Sequence, residues 1–229
     1  MAAGTVVLSP HFDDAVLSCW HVLEGGDATV ATVFSGTPGP GVVGWWDRLT
    51  GAADSAARMD ERRREDAAAL AIAGARSLEL DLLDEQYRLN GAVPALEAAL
   101  EAATRDAGPV YAPLGLFLSF DHELVRKAAL GLDSDLRLYA DHPHIGVWGL
   151  PGWVTGADTA GGLDVDGAWR TAMLAAGLDP QSLQAEVHVL DDASFASKLD
   201  AVRAYRTQVA ALECEAPLEQ LRWEVTWTR

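Results

Sequence analysis

The segment Ser9-Pro10-His11-Phe12-Asp13-Asp14 places three metal-capable side chains within four residues. His11 and Asp14 stand three apart, so a turn entering a helix can aim both at one point. Asp13, between them, can face the same cavity without ligating. A neutral imidazole nitrogen and a carboxylate oxygen are competent zinc ligands, and a catalytic zinc typically takes three protein ligands and leaves a position for water. The third ligand must come from another loop. His122, in Ser119-Phe120-Asp121-His122, would complete a His2Asp set, and the neighbouring Asp121 can orient an imidazole or a bound water. Such a set also accepts other divalent ions. The competing local reading is a turn with helix N-caps, a common role for Asp.

The elements that must position these residues follow from the apolar patterning. Thr5 to Leu8 reads as a strand, followed by a helix from about Asp14 to Glu24. Ala28 to Phe34 is a strand, Asp54 to Ala75 a long helix and Ser77 to Leu83 a strand. Val93 to Ala107 is a helix, Val110 to Pro113 a buried strand, and Asp121 to Gly131 a helix closed by glycine. Leu136 to Ala140 and Ala185 to Leu190 are strands, with a helix over Ser194 to Leu212 and a final edge strand over Leu221 to Thr228. This βαβα rhythm predicts a single α/β domain over residues 1–229, Rossmann-like, with a mostly parallel sheet covered by helices on both faces. Ligands of such sheets bind beyond the carboxyl ends of the strands, where both chemical segments fall. Two long loops stand out, Ser35 to Thr50 with Trp45-Trp46, and Gly146 to Asp164 with Trp148 and Trp153.

Pro-His-Phe-Asp-Asp after the first strand, with a later Asp-His opening a helix, resembles the PIG-L / LmbE-like family of zinc-dependent N-acetylglucosamine deacetylases. Arg62-x-x-Glu65 before an Ala-rich stretch is similar to that family's second helix. Lys198, Ala201, Tyr205 and Gln208 are similar to its C-terminal Lys-x-x-Ala-x-x-x-Tyr-x-x-Gln pattern. The resemblance implies that His11, Asp14 and His122 bind zinc and that Asp13 is the general base. It places Arg62 against the sugar or its aglycone and Asp84 against substrate hydroxyls. The substrate would be a small amino sugar or glycoconjugate that loses an N-acyl group, acetyl foremost. One position departs from the family's His-x-Asp-His: Ser119 replaces the first histidine. Losing a preorganised oxyanion donor typically costs about 10²–10³ in rate. His142 or His144, after the strand ending at Ala140, could supply a replacement imidazole. The departure leaves open another amide, a thiol conjugate, a non-hydrolytic step or a non-catalytic sugar or metal binder.

The 229-residue chain carries 17 basic against 34 acidic residues, a formal charge of −17. That balance disfavours nucleic acid, whose binding requires Lys and Arg to displace counterions, and it disfavours anionic membrane surfaces. Hydrophobic residues make up 49% and charged residues 22%, as in ordinary globular proteins. Cys19 and Cys214 are too few for a disulfide framework or a cysteine zinc site. No signal peptide or membrane span is read, so the expected location is the cytoplasm, with a homo-oligomer possible through the Trp-bearing loops.

Overall fold

Alternation along each central strand decides which residues enter which half of the core. In β1 (Val6–Ser9), Val6 and Leu8 point to one face of the sheet and Val7 to the other. In β4 (Pro109–Pro113), Val110 and Ala112 oppose Tyr111 in the same way. Both faces are apolar, as a sheet covered on both sides requires. The computed structural model describes residues 4–116, 120–157, 163–212 and 217–228. Ser119, Cys214 and part of the second long loop (158–162) lie outside the described residues.

After β1 come α1 (Asp14–Ser18), α2 (Trp20–Leu23), β2 (Thr29–Thr32), α3 (Trp45–Leu49), α4 (Ser55–Ala73) and β3 (Arg76–Glu79). Then follow a 3-10 turn at Glu85–Tyr87, α5 (Leu96–Thr104), β4, α6 (Phe120–Ala129), β5 (Asp135–Tyr139), α7 (Gly152–Thr155) and α8 (Val165–Ala175). The chain closes with β6 (Gln184–Val189), α9 (Asp192–Val202), α10 (Val209–Leu212) and β7 (Trp223–Thr228). Among the described residues the sheet has seven strands in the order β3-β2-β1-β4-β5-β7-β6. Strands β1 to β5 are mutually parallel, and β7 runs antiparallel to both β5 and β6. Helices α5, α6 and α8 cover one face and α1, α2, α4 and α9 the other. The expected mostly parallel α/β architecture with helices on both faces is therefore present. No described helix is long and apolar enough to cross a membrane.

The connection reverses direction at β1, whose neighbours are β2 on one side and β4 on the other. Such a switch point opens a crevice at the carboxyl ends of the two central strands. The loops bearing His11 and His122 leave β1 and β4 at that crevice.

Three expectations are corrected. β7 is not an edge strand, because β6 pairs along its outer side. Its Glu224 is fully buried, where Lys198 Nζ meets it at 2.6 Å. The first helix breaks at Cys19, because Glu224 draws the amides of Trp20 and His21 out of the helical pattern at 2.7 and 2.9 Å. The helix expected over Ser194 to Leu212 stops at Val202 and resumes at Val209. There Glu65 captures the backbone amide and hydroxyl of Thr207 at 3.0 and 2.7 Å.

Candidate active site

The turn after β1 is closed by Ser9 and Asp14, not by Asp13. Ser9 Oγ accepts the Ala15 amide at 3.0 Å and donates to the His11 carbonyl. Asp13 occupies the N-cap position of α1, yet its side chain makes no capping bond. The capping alternative thus fails for Asp13, and its buried carboxylate is left facing the cavity. Asp14 accepts the His11 amide at 2.7 Å, which folds the two side chains together.

From the other loop, His122 enters at the start of α6. Gly115 holds that loop against the helix with a left-handed φ of 59°; a Cβ there would sit 2.9 Å from the His122 backbone. Asp14 Oδ2 lies 3.3 Å from His11 Nδ1 and 3.3 Å from His122 Nε2. One ligand atom from each of the three residues falls within 4.8 Å of the others. On its far side, His122 Nδ1 donates to Asp141 Oδ1 at 2.7 Å, and Asp141 Oδ2 accepts the Gly115 amide at 2.7 Å. This fixes the orientation of the ring and turns Nε2 toward Asp14. That nitrogen is fully buried and forms no well-aligned hydrogen bond, although Asp14 is within ion-pair distance. Once its proton leaves, Nε2 is a buried acceptor with no donor, which a cation would satisfy.

A second grouping, His11 with Asp84 and Asp121, is comparably tight. Its carboxylates are already engaged. Asp121 binds the Arg88 guanidinium and the Glu85 amide, while Asp84 accepts from the amide and side chain of Gln86. The first grouping differs in offering His122 Nε2, a buried ligand atom with no well-aligned hydrogen bond. Asp121 Oδ2 stands 3.3 Å from His11 Nε2, within hydrogen-bond reach of that imidazole.

The electrostatics agree. Burial alone would depress both histidines; hydrogen bonds to Asp121 and Asp14 overcome it for His11, and the Asp14 charge does so for His122, which rises to about 10. Each ring thus holds a proton that a bound cation would displace. Burial pushes Asp14 up, but the two imidazoles outweigh it and hold the carboxyl far below its usual range. Burial, reinforced by the Asp14 charge, lifts Asp13 to about 6.

The cavity of about 190 Å³ has an acidic floor of Asp13, Asp14 and Asp84 and an aromatic wall of Phe34, Trp45 and Trp46. Arg62 also lines it, paired with Asp47 at 2.7 Å. His144 faces it edge-on to His122, with ring centroids 5.2 Å apart. His142 does not reach the cavity, which corrects the expectation that it could stand in for the missing imidazole. Its Nε2 donates to the Trp223 carbonyl at 3.0 Å in the core, where burial and Lys198 lower it to about 4. Sequence reasoning missed Asp141 and Arg88. Asp141 could have been found by the post-strand rule that singled out His142; Arg88 offers no such signal.

No protein-family model matches the chain, and none of the curated proteins compared matches it. Solved structures do. The A40926 pseudoaglycone deacetylase Dbv21 is 26% identical, over 100% of this chain and 97% of its own, with a TM-score of 0.72. The zinc-inhibited form of teicoplanin deacetylase Orf2 is 22% identical over 97% and 96%, with a TM-score of 0.72. The N,N'-diacetylchitobiose deacetylase of Pyrococcus horikoshii is 17% identical over 90% and 71%, with a TM-score of 0.51. The chain shares the fold of these deacetylases.

Proposed function

We propose that this chain is a metal-dependent hydrolase of the PIG-L / LmbE-like kind that removes an N-acyl group, acetyl foremost, from an amino sugar or glycoconjugate. One observation carries the reading. A carboxylate that makes no capping bond, Asp13, faces the cavity beside three converging ligand atoms, one of them His122 Nε2, which has no well-aligned hydrogen bond among the described residues. The 26% identity with Dbv21 along the whole chain supports the choice of reaction.

His11, Asp14 and His122 would hold the ion. Zinc held there would supply a Lewis acid that makes water nucleophilic near neutral pH, lowering its pKa from about 15.7 toward about 7. Asp13 takes a proton from the water as its oxygen adds to the acyl carbon. The carbon–nitrogen bond then breaks, and Asp13 returns the proton to the departing nitrogen, giving acetate and a free amine. Asp121 keeps the His11 ring in place throughout. His144, at the cavity beside His122, takes the role of the family's first histidine, donating to the oxygen that gains charge. Arg62 and Asp84 meet the polar groups of the sugar, and the tryptophans meet its apolar face.

The test is elemental analysis of the purified protein with acetate release from N-acetylglucosamine conjugates, before and after chelation. A protein that binds one zinc and releases acetate only when loaded bears the proposal out. Tight metal binding without release from any N-acetylhexosamine conjugate would move the reading to a different acyl substrate or to a binder.

A further inference from the structure

Asp66 is buried one turn beyond Arg62 on α4, and among the described residues no cation pairs with it. Its Oδ1 lies 2.8 Å from Tyr205 Oη, and the same hydroxyl lies 2.9 Å from the Phe12 carbonyl oxygen. Tyr205 is fully buried. A phenol carries a single proton and a carbonyl oxygen can only accept. If Asp66 were ionised, two acceptors would compete for that proton and one buried group would go unpaired. If Asp66 is neutral, all three are satisfied: the carboxyl donates to Tyr205 Oη, and the phenol donates to Phe12. The Phe12 carbonyl belongs to the peptide that leads directly into Asp13.

We propose that Asp66 is a positioning residue for the reaction above, acting through Tyr205: its neutral carboxyl leaves the phenol proton to the Phe12 carbonyl and so fixes the peptide that aims Asp13. This rests on the role of Asp13 given above, but the hydrogen-bond chain itself does not. The break between α9 and α10 serves the same end, because Glu65 pins Thr207 two residues after Tyr205. The groups facing Asp66 are Tyr205 from that segment, Asp13 from the β1 loop and Glu79 from β3. Burial lifts Asp66 to about 8; the Tyr205 hydrogen bond opposes this, and the charges of Asp13 and Glu79 add to it. Arg62, on the same helix, pairs with Asp47. Deprotonation draws the phenol proton away from Phe12 and frees the Asp13 peptide, so an alkaline limb of activity is built into the fold.

Two readouts test this on the metal-loaded protein. In protein labelled with carbonyl-¹³C phenylalanine, the Phe12 resonance moves with a midpoint near pH 8 in wild type and stays fixed in Asp66→Asn, whose amide always donates. A resonance that is flat from pH 6 to 9.5 in wild type, or that moves identically in Asp66→Asn, overturns the proposal whether or not any substrate is turned over. In the acetate-release assay, wild-type kcat falls about tenfold per pH unit above the midpoint. Asp66→Ala and Tyr205→Phe lower kcat more than tenfold with KM and metal content kept, and Asp66→Asn restores kcat and removes the alkaline fall. An unchanged alkaline limb in Asp66→Asn, or wild-type kcat in Tyr205→Phe, refutes the role.

Discussion

Replacing Asp141 with Asn isolates the support behind the proposed ion. Asp141 uses both oxygens at 2.7 Å, one for His122 Nδ1 and one for the Gly115 amide. An asparagine of the same shape has one acceptor and one donor, so it can satisfy only one of them. If the oxygen faces His122, the side-chain amide meets the Gly115 N–H donor to donor, and the loop before α6 shifts. If it faces Gly115, the His122 tautomer is no longer fixed with Nε2 free. Either way a buried group loses a charged acceptor, at a cost of about 1–3 kcal/mol. Loss of such an outer partner typically weakens metal affinity about 10–100-fold, which is about 1.4–2.8 kcal/mol. The assay is zinc competition against a chromophoric chelator, with circular dichroism confirming that the sheet is intact. A folded Asp141→Asn protein that binds zinc as tightly as wild type would show that His122 is not held as a ligand by this carboxylate.

The other predictions concern single roles. Asp13→Asn should retain the metal and lose about 10²–10⁴ in turnover; loss of the metal as well would make Asp13 a ligand. His144→Ala should lower kcat by about 10²–10³, whereas His142→Ala should leave kcat near wild type and lower the melting temperature; the reverse pattern would undo the placement of these two rings. Lys198→Met should destabilise by about 3–5 kcal/mol, because it strands the fully buried Glu224, and denaturant titration reads this directly. Burial raises Glu224, but the Lys198 charge outweighs it, so its folded pKa lies below the unfolded value of about 4.5. Its contribution is therefore present above about pH 4.5 and lost as the pH falls below that, and melting temperatures should drop over this range in wild type. A melting temperature independent of pH there would contradict the assignment.

The fold class was legible because alternation in the strands and Ala/Leu stripes in the helices are local patterns that burial on two faces enforces. The metal-capable trio was legible for a related reason: His11, Asp13 and Asp14 lie within one turn, and their place after the first strand fixes the edge of the sheet they occupy. His122 could be matched to them because it also follows a central strand. The same rule could not rank His142 against His144, since position after a strand does not say which way a side chain turns. It could reach Asp141 by position but not its role, which exists only once His122 lies opposite it. The helix breaks at Cys19 and after Val202 are likewise absent from local propensity. In each, a buried glutamate from a distant segment outcompetes the helix for its backbone amides. The sequence by itself determined the layers, the switch point and the residue types brought to it. Only the tertiary structure decided which carboxylate faces an imidazole, which lines the cavity and which is buried against a phenol, because those environments depend on partners far apart along the chain and on the burial that makes each hydrogen bond matter.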